Sequence, residues 1–462
     1  MRGAAGGANL LALRSHNTAL VLDLLRTAGG AGISRLELAE RTGLTPQAVS
    51  KITARLRGEG LAAEAGRRAS TGGKPRTVLR LVPGAGHALG VHLDRDELRA
   101  VLVDLDGMVV AERRAPLGLG AGAEAVLEGV ARAAEDLAAQ GLGHLVVEGA
   151  RVPGAALAAA PTLLGLGVAL PGPLDHVRGV LHRITGFPGW DGYPLREALE
   201  RRLGVPVVVD KDTNAAALGL AVGGAGGQRG SGAGAEEGGA GCEGGSRAGA
   251  EWGGGAGVEA GSAGGETGSG AGGQRGSGVG GQRGSGAGGQ RGRGAGAEAG
   301  GAGARGGSFA YLHLGTGLGA GLVFGGGVHR GARTGAGEFG HQVVQLDGPP
   351  CTCGARGCIE ALCLAAVARG DLAEAARVLG TGAANLAGLL DIDLVLLGGR
   401  TVAAAPEAFV HGVGAVLDAR ARREGGHDGA VPVRLAPGGT RGVAEGAAQL
   451  LLAPLFGRGE GG

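Results

Sequence analysis

The sequence lacks an apolar run long enough to act as a signal peptide or to span a membrane. The segment Leu10–Leu13 is followed at once by Arg14 and is too short for a signal-peptide core. Residues 152–174 carry no charge, but four prolines interrupt them, and proline breaks helices. We therefore expect a loop followed by a buried strand at Leu166–Leu170, no membrane partner, and a cytoplasmic protein.

Cysteine is also scarce, with five residues among 462, so the placement of three of them is informative. Cys351, Cys353 and Cys358 fall within eight residues, and His341 precedes Cys351 by ten. An imidazole and three thiolates offer four ligands to a tetrahedral Zn²⁺, and such a site has no position left for water. We predict that these four residues form a structural zinc site. Scattered buried cysteines are the alternative, and disulfides are disfavoured in a reducing cytoplasm.

Glycine, by contrast, is abundant, and its 106 residues are too many for a uniformly packed protein. They concentrate in residues 223–307, where a Gly-Gly-Gln-Arg-Gly-Ser-Gly unit recurs with Gln274, Gln282 and Gln290 eight residues apart. Such a segment buries too little apolar surface to offset its backbone entropy, so we expect a disordered insertion. An inert insertion is favoured over a tail that contacts nucleic acid, because glutamates dilute the positive charge.

The N-terminal part is strongly basic and follows a helical pattern. Residues 1–82 hold 13 Lys and Arg against 5 Asp and Glu, which suggests a polyanionic partner. Apolar residues from Leu20 to Leu25 indicate a first helix, and Ser34 with Glu37 forms a capping box for a second. Thr45 precedes Pro46 and caps a third helix. This order predicts a helix-turn-helix.

The third predicted helix has the pattern of a recognition helix, and two strands follow it. Val49, Ile52 and Leu56 form one apolar stripe. The strands Leu61–Glu64 and Thr77–Leu81, joined by a glycine pair beside cations, predict a wing. We predict DNA contacts on this helix and wing by Thr45, Gln47, Ser50, Lys51, Arg55, Lys74 and Arg76. A three-helix domain that binds another protein is the alternative.

The segment around the cysteines resembles a known family signature. Gly-Glu338-x-Gly-His341, followed by Cys351-x-Cys-x4-Cys358-x-Glu360, resembles the signature of the ROK family of repressors, open reading frames and kinases. The resemblance implies an α/β fold of the actin-like (ribonuclease H-like), two-lobed sugar-kinase type, preceded by a winged helix-turn-helix as in ROK repressors. It also implies that the histidine and the cysteines hold zinc and that the glutamates touch a sugar. The expected domains are residues 10–82, 86–222, 223–307 and 308–456.

The resemblance extends to the sugar cleft, with departures. Asp212 matches the aspartate that acts in kinases as a general base, although a helix N-cap is an alternative role for it. Lys211 stands where the family has Asn, and we expect it to pair with Asp212 and to reduce its basicity. Gly186 stands where many relatives carry a sugar-contacting Asn. The expected sugar-binding residues are Asp212, Glu338, His341 and Glu360.

The first phosphate loop of the kinases is replaced in this chain. Where ROK kinases have Asp-x-Gly-Gly-Thr, it carries His92 and then Asp94-Arg95-Asp96. Two carboxylates at this position repel an anionic phosphate unless a cation intervenes. We therefore expect neither ATP binding nor kinase activity. The glycine-rich turn Gly315–Gly317 resembles the second phosphate loop and is expected to remain for architecture.

Together these patterns predict a sugar-responsive DNA-binding regulator of carbohydrate metabolism genes, most simply a repressor. The predicted partners are double-stranded operator DNA, a sugar or sugar derivative, and further copies of the chain in a homodimer or homotetramer. One alternative is an ATP-dependent sugar kinase with an appended DNA-binding head. Another is a zinc-structured DNA binder without a small ligand, which Lys211 and Gly186 leave open.

Overall fold

The computed structural model describes residues 16–68, 76–142, 157, 160, 162–184, 186–223, 307–425 and 429–458. Lys74 lies outside the described residues, and so does the predicted insertion 223–307 apart from its first and last residues. No helix in these described ranges is long and apolar enough to span a membrane.

The N-terminal head consists of three helices and a small antiparallel sheet. Its elements are α1 (His16–Ala28), β1 (Ile33–Ser34), α2 (Arg35–Thr42), α3 (Pro46–Gly58), β2 (Ala62–Arg68) and β3 (Arg76–Leu81). The strands are arranged in the order β1-β3-β2. The predicted capping box is confirmed, because the backbone N–H of Glu37 donates to Ser34 Oγ and the Ser34 N–H donates to Glu37 Oε2. Thr45 is the N-cap of α3, and its Oγ1 accepts from the Ala48 N–H at 3.2 Å.

The first lobe of the body is built on a five-stranded mixed sheet. Its strands are β4 (His87–Leu93), β5 (Glu97–Asp104), β6 (Val109–Pro116), β7 (Leu163–Leu170) and, after the short hairpin β8 (Leu174–Asp175) and β9 (Val180–Leu181), β10 (Val207–Lys211). The order is β10-β7-β4-β5-β6, with β4, β5 and β6 antiparallel and β7 and β10 parallel to β4. The helices of this lobe are α4 (Ala123–Leu142), α5 (Leu195–Leu203) and α6 (Asp212–Gly223). The buried strand predicted at Leu166–Leu170 is confirmed within β7.

The second lobe repeats this sheet topology. Its strands are β11 (Phe309–Leu314), β12 (Leu318–Phe324), β13 (Gly327–His329), β14 (Leu394–Gly398) and β15 (Val433–Leu435). The order is β13-β12-β11-β14-β15, again with an antiparallel half and a parallel half. Its helices are α7 (Ile359–Ala368), α8 (Leu372–Leu390), α9 (Arg400–Ala404) and α10 (Pro406–Arg423), followed by α11 (Gly442–Leu452).

Helix α11 returns from the second lobe and packs on the first. It contacts β4, β7 and α6. Glycine makes this close approach possible, because a Cβ at Gly90 would collide with the carbonyl oxygen of Ala444 and one at Gly167 with that of Ala447. The end of β10 and the beginning of α6 therefore lie close to the C-terminal part of the chain.

The head packs directly on the C-terminal segment that follows α11. Side chains of α1 share one apolar cluster with Leu451 and Phe456. The guanidinium of Arg26 lies 4.7 Å from the centre of the Phe456 ring. Arg458 donates two hydrogen bonds of 2.9 Å to the carboxylate of Asp23. Separate head and body domains follow from composition, but this interface between them was not predicted.

Candidate functional site

One cleft collects the four residues for which sugar binding was predicted. Asp212, Glu338, His341 and Glu360 all line it. Elements of both sheets form the remaining walls, namely the β4–β5 turn, the loop after β7 and the glycine-rich β11–β12 turn. The sugar-binding role itself stays a prediction. The cleft nevertheless combines carboxylate acceptors with polar donors, which is the mixture that fixes the orientation of a small polar ligand.

Asp212 stands at the first position of α6 and is half-buried. Its Oδ1 accepts from the backbone N–H of Thr213 at 2.6 Å. Only one of its two carboxylate oxygens is engaged by this hydrogen bond at the start of the helix. This bond to the next residue is not the N-cap bond that was the alternative role, and it leaves the other carboxylate oxygen for a ligand.

Lys211 does not pair with Asp212, and that prediction is wrong. Its ammonium group donates to Glu338 Oε1 at 3.1 Å and to the carbonyl oxygen of Ala336. Lys211 is the last residue of β10 and Asp212 the first of α6, and the Lys211 side chain extends to the second lobe. Lys211 is only 2% exposed. The buried ammonium thus holds Glu338, a predicted sugar ligand, in a fixed position across the lobes.

A second buried ion pair lies next to the first turn of α6. Asp210 is 1% exposed, and its carboxylate accepts from Arg330 Nε at 2.7 Å and from Asn214 Nδ2 at 2.9 Å. Arg330 follows β13, so the pair joins the two lobes beneath the cleft. Neither residue was singled out from the sequence, because their separation of 120 positions leaves no local signal.

The four predicted metal ligands lie together. One donor atom from each of His341, Cys351, Cys353 and Cys358 lies within 4.8 Å of every other. His341 Nδ1 is 3.8 Å from Cys351 Sγ, and the sulfurs of Cys353 and Cys358 are 3.7 Å apart. Tetrahedral coordination with Zn–S bonds of about 2.3 Å places ligand sulfurs about 3.8 Å apart. The donor set and its spacing therefore fit a closed, tetrahedral metal site.

The cluster is connected to the cleft through its neighbours in sequence. His341 belongs to both, since it lines the cleft and contributes a ligand atom. Glu360 follows Cys358 by two residues, and its Oε2 accepts from the Leu318 N–H at 2.9 Å. A metal held here would fix the short segments that carry Glu338 and Glu360, which is a positioning role.

The β4–β5 turn, which carries Asp94 and Asp96, is bound to the second lobe. Thr316, from the glycine-rich turn, donates to Asp94 Oδ1 at 2.9 Å. Arg400 binds both oxygens of Asp96 at 3.0 and 3.1 Å and lies 3.6 Å from Asp94. Burial acts to raise the pKa of Asp94, but hydrogen bonds and the nearby cations outweigh it, so the pKa lies below its usual value. A cation therefore does stand between the two carboxylates, and it comes from the protein itself.

Arg400 was not singled out from the sequence. The only available signal was its place directly after Gly398-Gly399, a turn that resembles the nucleotide side of the family fold. Its side chain and that of Asp96 are 39% and 63% exposed, so the ion pair contributes under about 1 kcal/mol to stability. Its importance is geometric, because it connects the start of α9 to the β4–β5 turn.

His92 lies beneath the cleft at the end of β4 and is 6% exposed. Its Nε2 has no hydrogen-bond partner among the described residues. Its ring stands edge-on to that of His313 with the centres 6.2 Å apart, and His313 Nδ1 is hydrogen-bonded to the Tyr311 hydroxyl at 2.8 Å. Burial lowers the pKa of His92 to about 4, although Asp212 and Asp94 act in the opposite direction. His92 is therefore neutral at pH 7.

The residues predicted to contact DNA lie mostly on one exposed face of the head. On α3 and at its cap, Thr45, Gln47, Ser50 and Lys51 are exposed, and Arg76 is exposed at the start of β3. Arg55 is also exposed, but it donates to Thr18 Oγ1 at 2.7 Å and so contacts α1. The DNA contacts themselves stay predictions, and Lys74 lies outside the described residues.

Part of this chain is similar in sequence to known proteins. The profile of the ROK family matches residues 88–231 and 294–369. The DNA-binding transcriptional dual regulator NagC of Escherichia coli K12 is 30% identical over 217 residues, which are 47% of this chain and 48% of its own. The xylose repressor of Bacillus subtilis 168 is 26% identical over 193 residues, 42% of this chain and 46% of its own. The chain thus covers about half the length of the curated relatives it matches.

A solved structure also shares the fold. The crystal structure of a ROK family transcriptional regulator, a homologue of the E. coli MLC protein, aligns over 96% of this chain and 97% of its own. The TM-score is 0.61 at 16% sequence identity. At this identity the likeness shows the fold alone, and it confirms the expected mixed α/β architecture.

The first testable prediction concerns the metal. We expect Cys358→Ser to lose about one equivalent of bound zinc and to lower the melting temperature, because a structural metal contributes to folding directly. Cys363→Ser is the matched control, since that buried thiol donates to the Ala375 carbonyl oxygen outside the cluster. Elemental analysis and thermal unfolding check both variants. A wild-type protein purified without metal would contradict the assignment.

The second prediction follows from the lowered pKa of His92. As pH falls below 6.5, the unfolded chain takes up a proton that the folded state accepts only near pH 4, so stability falls across this window. Between pH 7.5 and pH 5 this residue accounts for a loss of about 2 kcal/mol. Urea unfolding of His92→Gln should lack that part of the loss. The exposed His182→Gln is the control and should keep the wild-type pH dependence.

Proposed function

Because the chain carries a ROK family domain, we propose that the protein is a sugar-responsive DNA-binding transcriptional regulator, a repressor of carbohydrate metabolism genes in the cytoplasm. Relatives named as a xylose repressor and as the regulator NagC support a repressor. Operator DNA is the partner of the head, and a sugar is the ligand of the cleft. A homodimer or homotetramer would place two heads on two half-sites.

The observation that carries the proposal is a continuous path of packing from the cleft to the head. Asp212 begins α6, and α6 packs on α11 so closely that a Cβ at Gly446 would collide with the Ala215 carbonyl oxygen. The segment that follows α11 contacts α1 through Phe456 and Arg458. A sugar that binds one arrangement of the lobes more tightly than another would increase the population of that arrangement. The packing along this path would then change the position of the head.

The head supplies the features that DNA binding requires. Its excess of basic residues provides a favourable, salt-dependent interaction with phosphates. The exposed Gln47, Ser50 and Lys51 lie on one face of α3, opposite its buried stripe. We propose that α3 enters the major groove and that the β2–β3 ribbon approaches the adjacent backbone, as in a winged helix-turn-helix.

Zinc is the metal that the cluster fits best. One histidine and three cysteines with sulfurs at tetrahedral spacing form a closed site, which offers no open position for a catalytic water. The role of zinc there would be structural, and the chain's own residues do the binding. Glu338 is held by Lys211 and Glu360 by the Leu318 N–H, so both carboxylates are oriented before a sugar arrives.

We propose further that the body is not a kinase. Transfer of a phosphoryl group requires that the nucleotide phosphates be held in place next to the sugar hydroxyl. Here Asp94 and Asp96 bring two negative charges into the loop, and Thr316 and Arg400 are already engaged by them. The alternative, a sugar kinase with an appended head, is favoured only by the retained Asp212 in the cleft.

DNA binding is tested on the face of the head that carries the exposed cations. Lys51→Ala and Arg76→Ala should each weaken binding roughly tenfold, with a smaller salt dependence, because each removes one cation from the phosphate interface. Arg132→Ala is the control, since this residue is exposed on α4 of the body. Mobility shifts on DNA selected by the wild type from a random pool provide the measurement. Unchanged affinity in both head variants would refute the recognition face.

Kinase activity is tested by coupled detection of ADP release. The protein should show no turnover with ATP and any sugar that raises its melting temperature, in an assay calibrated with a sugar kinase. Arg400→Ala should not restore activity, because the carboxylates of Asp94 and Asp96 remain. Sugar-dependent turnover that disappears in Asp212→Asn would establish the kinase instead.

A further inference from the structure

Arg95 differs from Lys211, the other cation that lines the cleft. Lys211 is held by Glu338, Thr316 by Asp94, and His313 by Tyr311. The guanidinium of Arg95, by contrast, forms no hydrogen bond or ion pair with any residue that the structure describes, although Arg95 lines the same cleft. A guanidinium carries five N–H donors and no acceptor. A ligand can therefore use these donors without first breaking an internal bond.

The backbone of Arg95 is nevertheless fixed. Its N–H donates to Asp94 Oδ1 at 2.7 Å, and its carbonyl oxygen accepts from the Leu119 N–H at 3.1 Å. Its guanidinium carbon lies 5.6 Å from the centre of the Phe187 ring. The main chain and the aromatic contact thus define where the side chain lies, while its N–H groups stay unpaired within the described part of the chain.

Gly186 leaves the space that the guanidinium uses. A Cβ built on Gly186 would meet a single group within 4 Å, the Nη1 of Arg95 at 3.4 Å. Any longer side chain at this position would compete with the guanidinium for the space over the Phe187 ring. The absence of a side chain at Gly186 therefore leaves room for the guanidinium of Arg95, which comes from another loop.

The charges of the cleft indicate the class of ligand. Asp212 and Glu360 line it, and neither forms an ion pair among the described residues, whereas Arg95 is the one cation there whose charge is unpaired in that same part of the chain. Two carboxylates against one guanidinium disfavour an anionic ligand. They favour a neutral polyol, whose hydroxyls can donate to the carboxylates and accept from the guanidinium.

We propose that Arg95 is a specificity-determining residue of the effector cleft, and that its guanidinium donates to two neighbouring hydroxyl oxygens of a neutral sugar. The planar fork of arginine suits such a pair of oxygens better than the single ammonium group of lysine. This inference rests on the proposed function, because it assumes that the cleft binds a sugar.

The test measures sugar affinity of the full chain by calorimetry, with D-glucose, N-acetyl-D-glucosamine and D-xylose as probes. For the sugar that binds the wild type, Arg95→Met should bind roughly 10- to 100-fold more weakly, the effect expected when a charged hydrogen bond is lost. Arg95→Lys should lie between the two. Arg99→Met is the matched control, since Arg99 pairs with Glu97 on β5 and does not line the cleft. The melting temperature without sugar should stay close to that of the wild type in all three variants.

Combining a substitution at Gly186 with one at Arg95 gives an independent readout. Gly186→Asn alone should weaken sugar binding, because the new side chain competes with the guanidinium; asparagine also tolerates the positive φ of +88° at this position better than most residues. In an Arg95→Gly background the same change should no longer weaken binding. The two substitutions should therefore be strongly non-additive in a double-mutant cycle.

The outcomes separate the inference from the function on which it rests. If the wild type binds none of the three sugars, both fall. If it binds one and Arg95→Met binds it equally well, only the role of Arg95 is overturned. A preference for D-glucuronate or glucose 6-phosphate over D-glucose that disappears in Arg95→Met would also overturn the inference, because it would make Arg95 an anion-binding residue.

Discussion

The packing of α11 against the first lobe is the constraint on which the other features depend. This helix approaches β4 and β7 at two glycines and approaches α6 at Gly446, so backbone contacts backbone at three places. Such contacts leave no room for side chains to rearrange, and close-packed interiors transmit small displacements. The first sheet, the helix that begins at Asp212, and the C-terminal segment under the head therefore move together or not at all.

Charged groups of the first lobe beside the cleft have partners in the second lobe. Asp94 and Asp96 belong to the first lobe and are bound by Thr316 and Arg400 of the second. Lys211 belongs to the first lobe and is bound by Glu338 of the second. These pairs join the two lobes beside the cleft, and the buried Lys211 would be costly to leave unpaired.

Local patterns in the sequence predicted the local structure well. The capping box at Ser34, the cap at Thr45 and the cysteine spacing act over fewer than a dozen residues, and the structure forms all three. The missed features are pairs such as Arg400 with Asp96, which lie 304 positions apart. Lys211 shows the same limit, because the family resemblance pointed to a charge in the cleft but only the fold determined which carboxylate it meets. Long-range pairing depends on topology, and no periodicity in the chain encodes it.

The contact of Asp23 with Arg458 joins nearly the first described residues to the last. Asp23 and Arg458 lie 435 positions apart, so during synthesis the head emerges from the ribosome well before its docking surface on Phe456 and Arg458. The apolar side of α1 that meets this surface lacks that contact until Phe456 has been made, and transiently exposed apolar surface favours aggregation. The same order means that a prematurely terminated chain contains the whole head but none of the surface that connects it to the cleft.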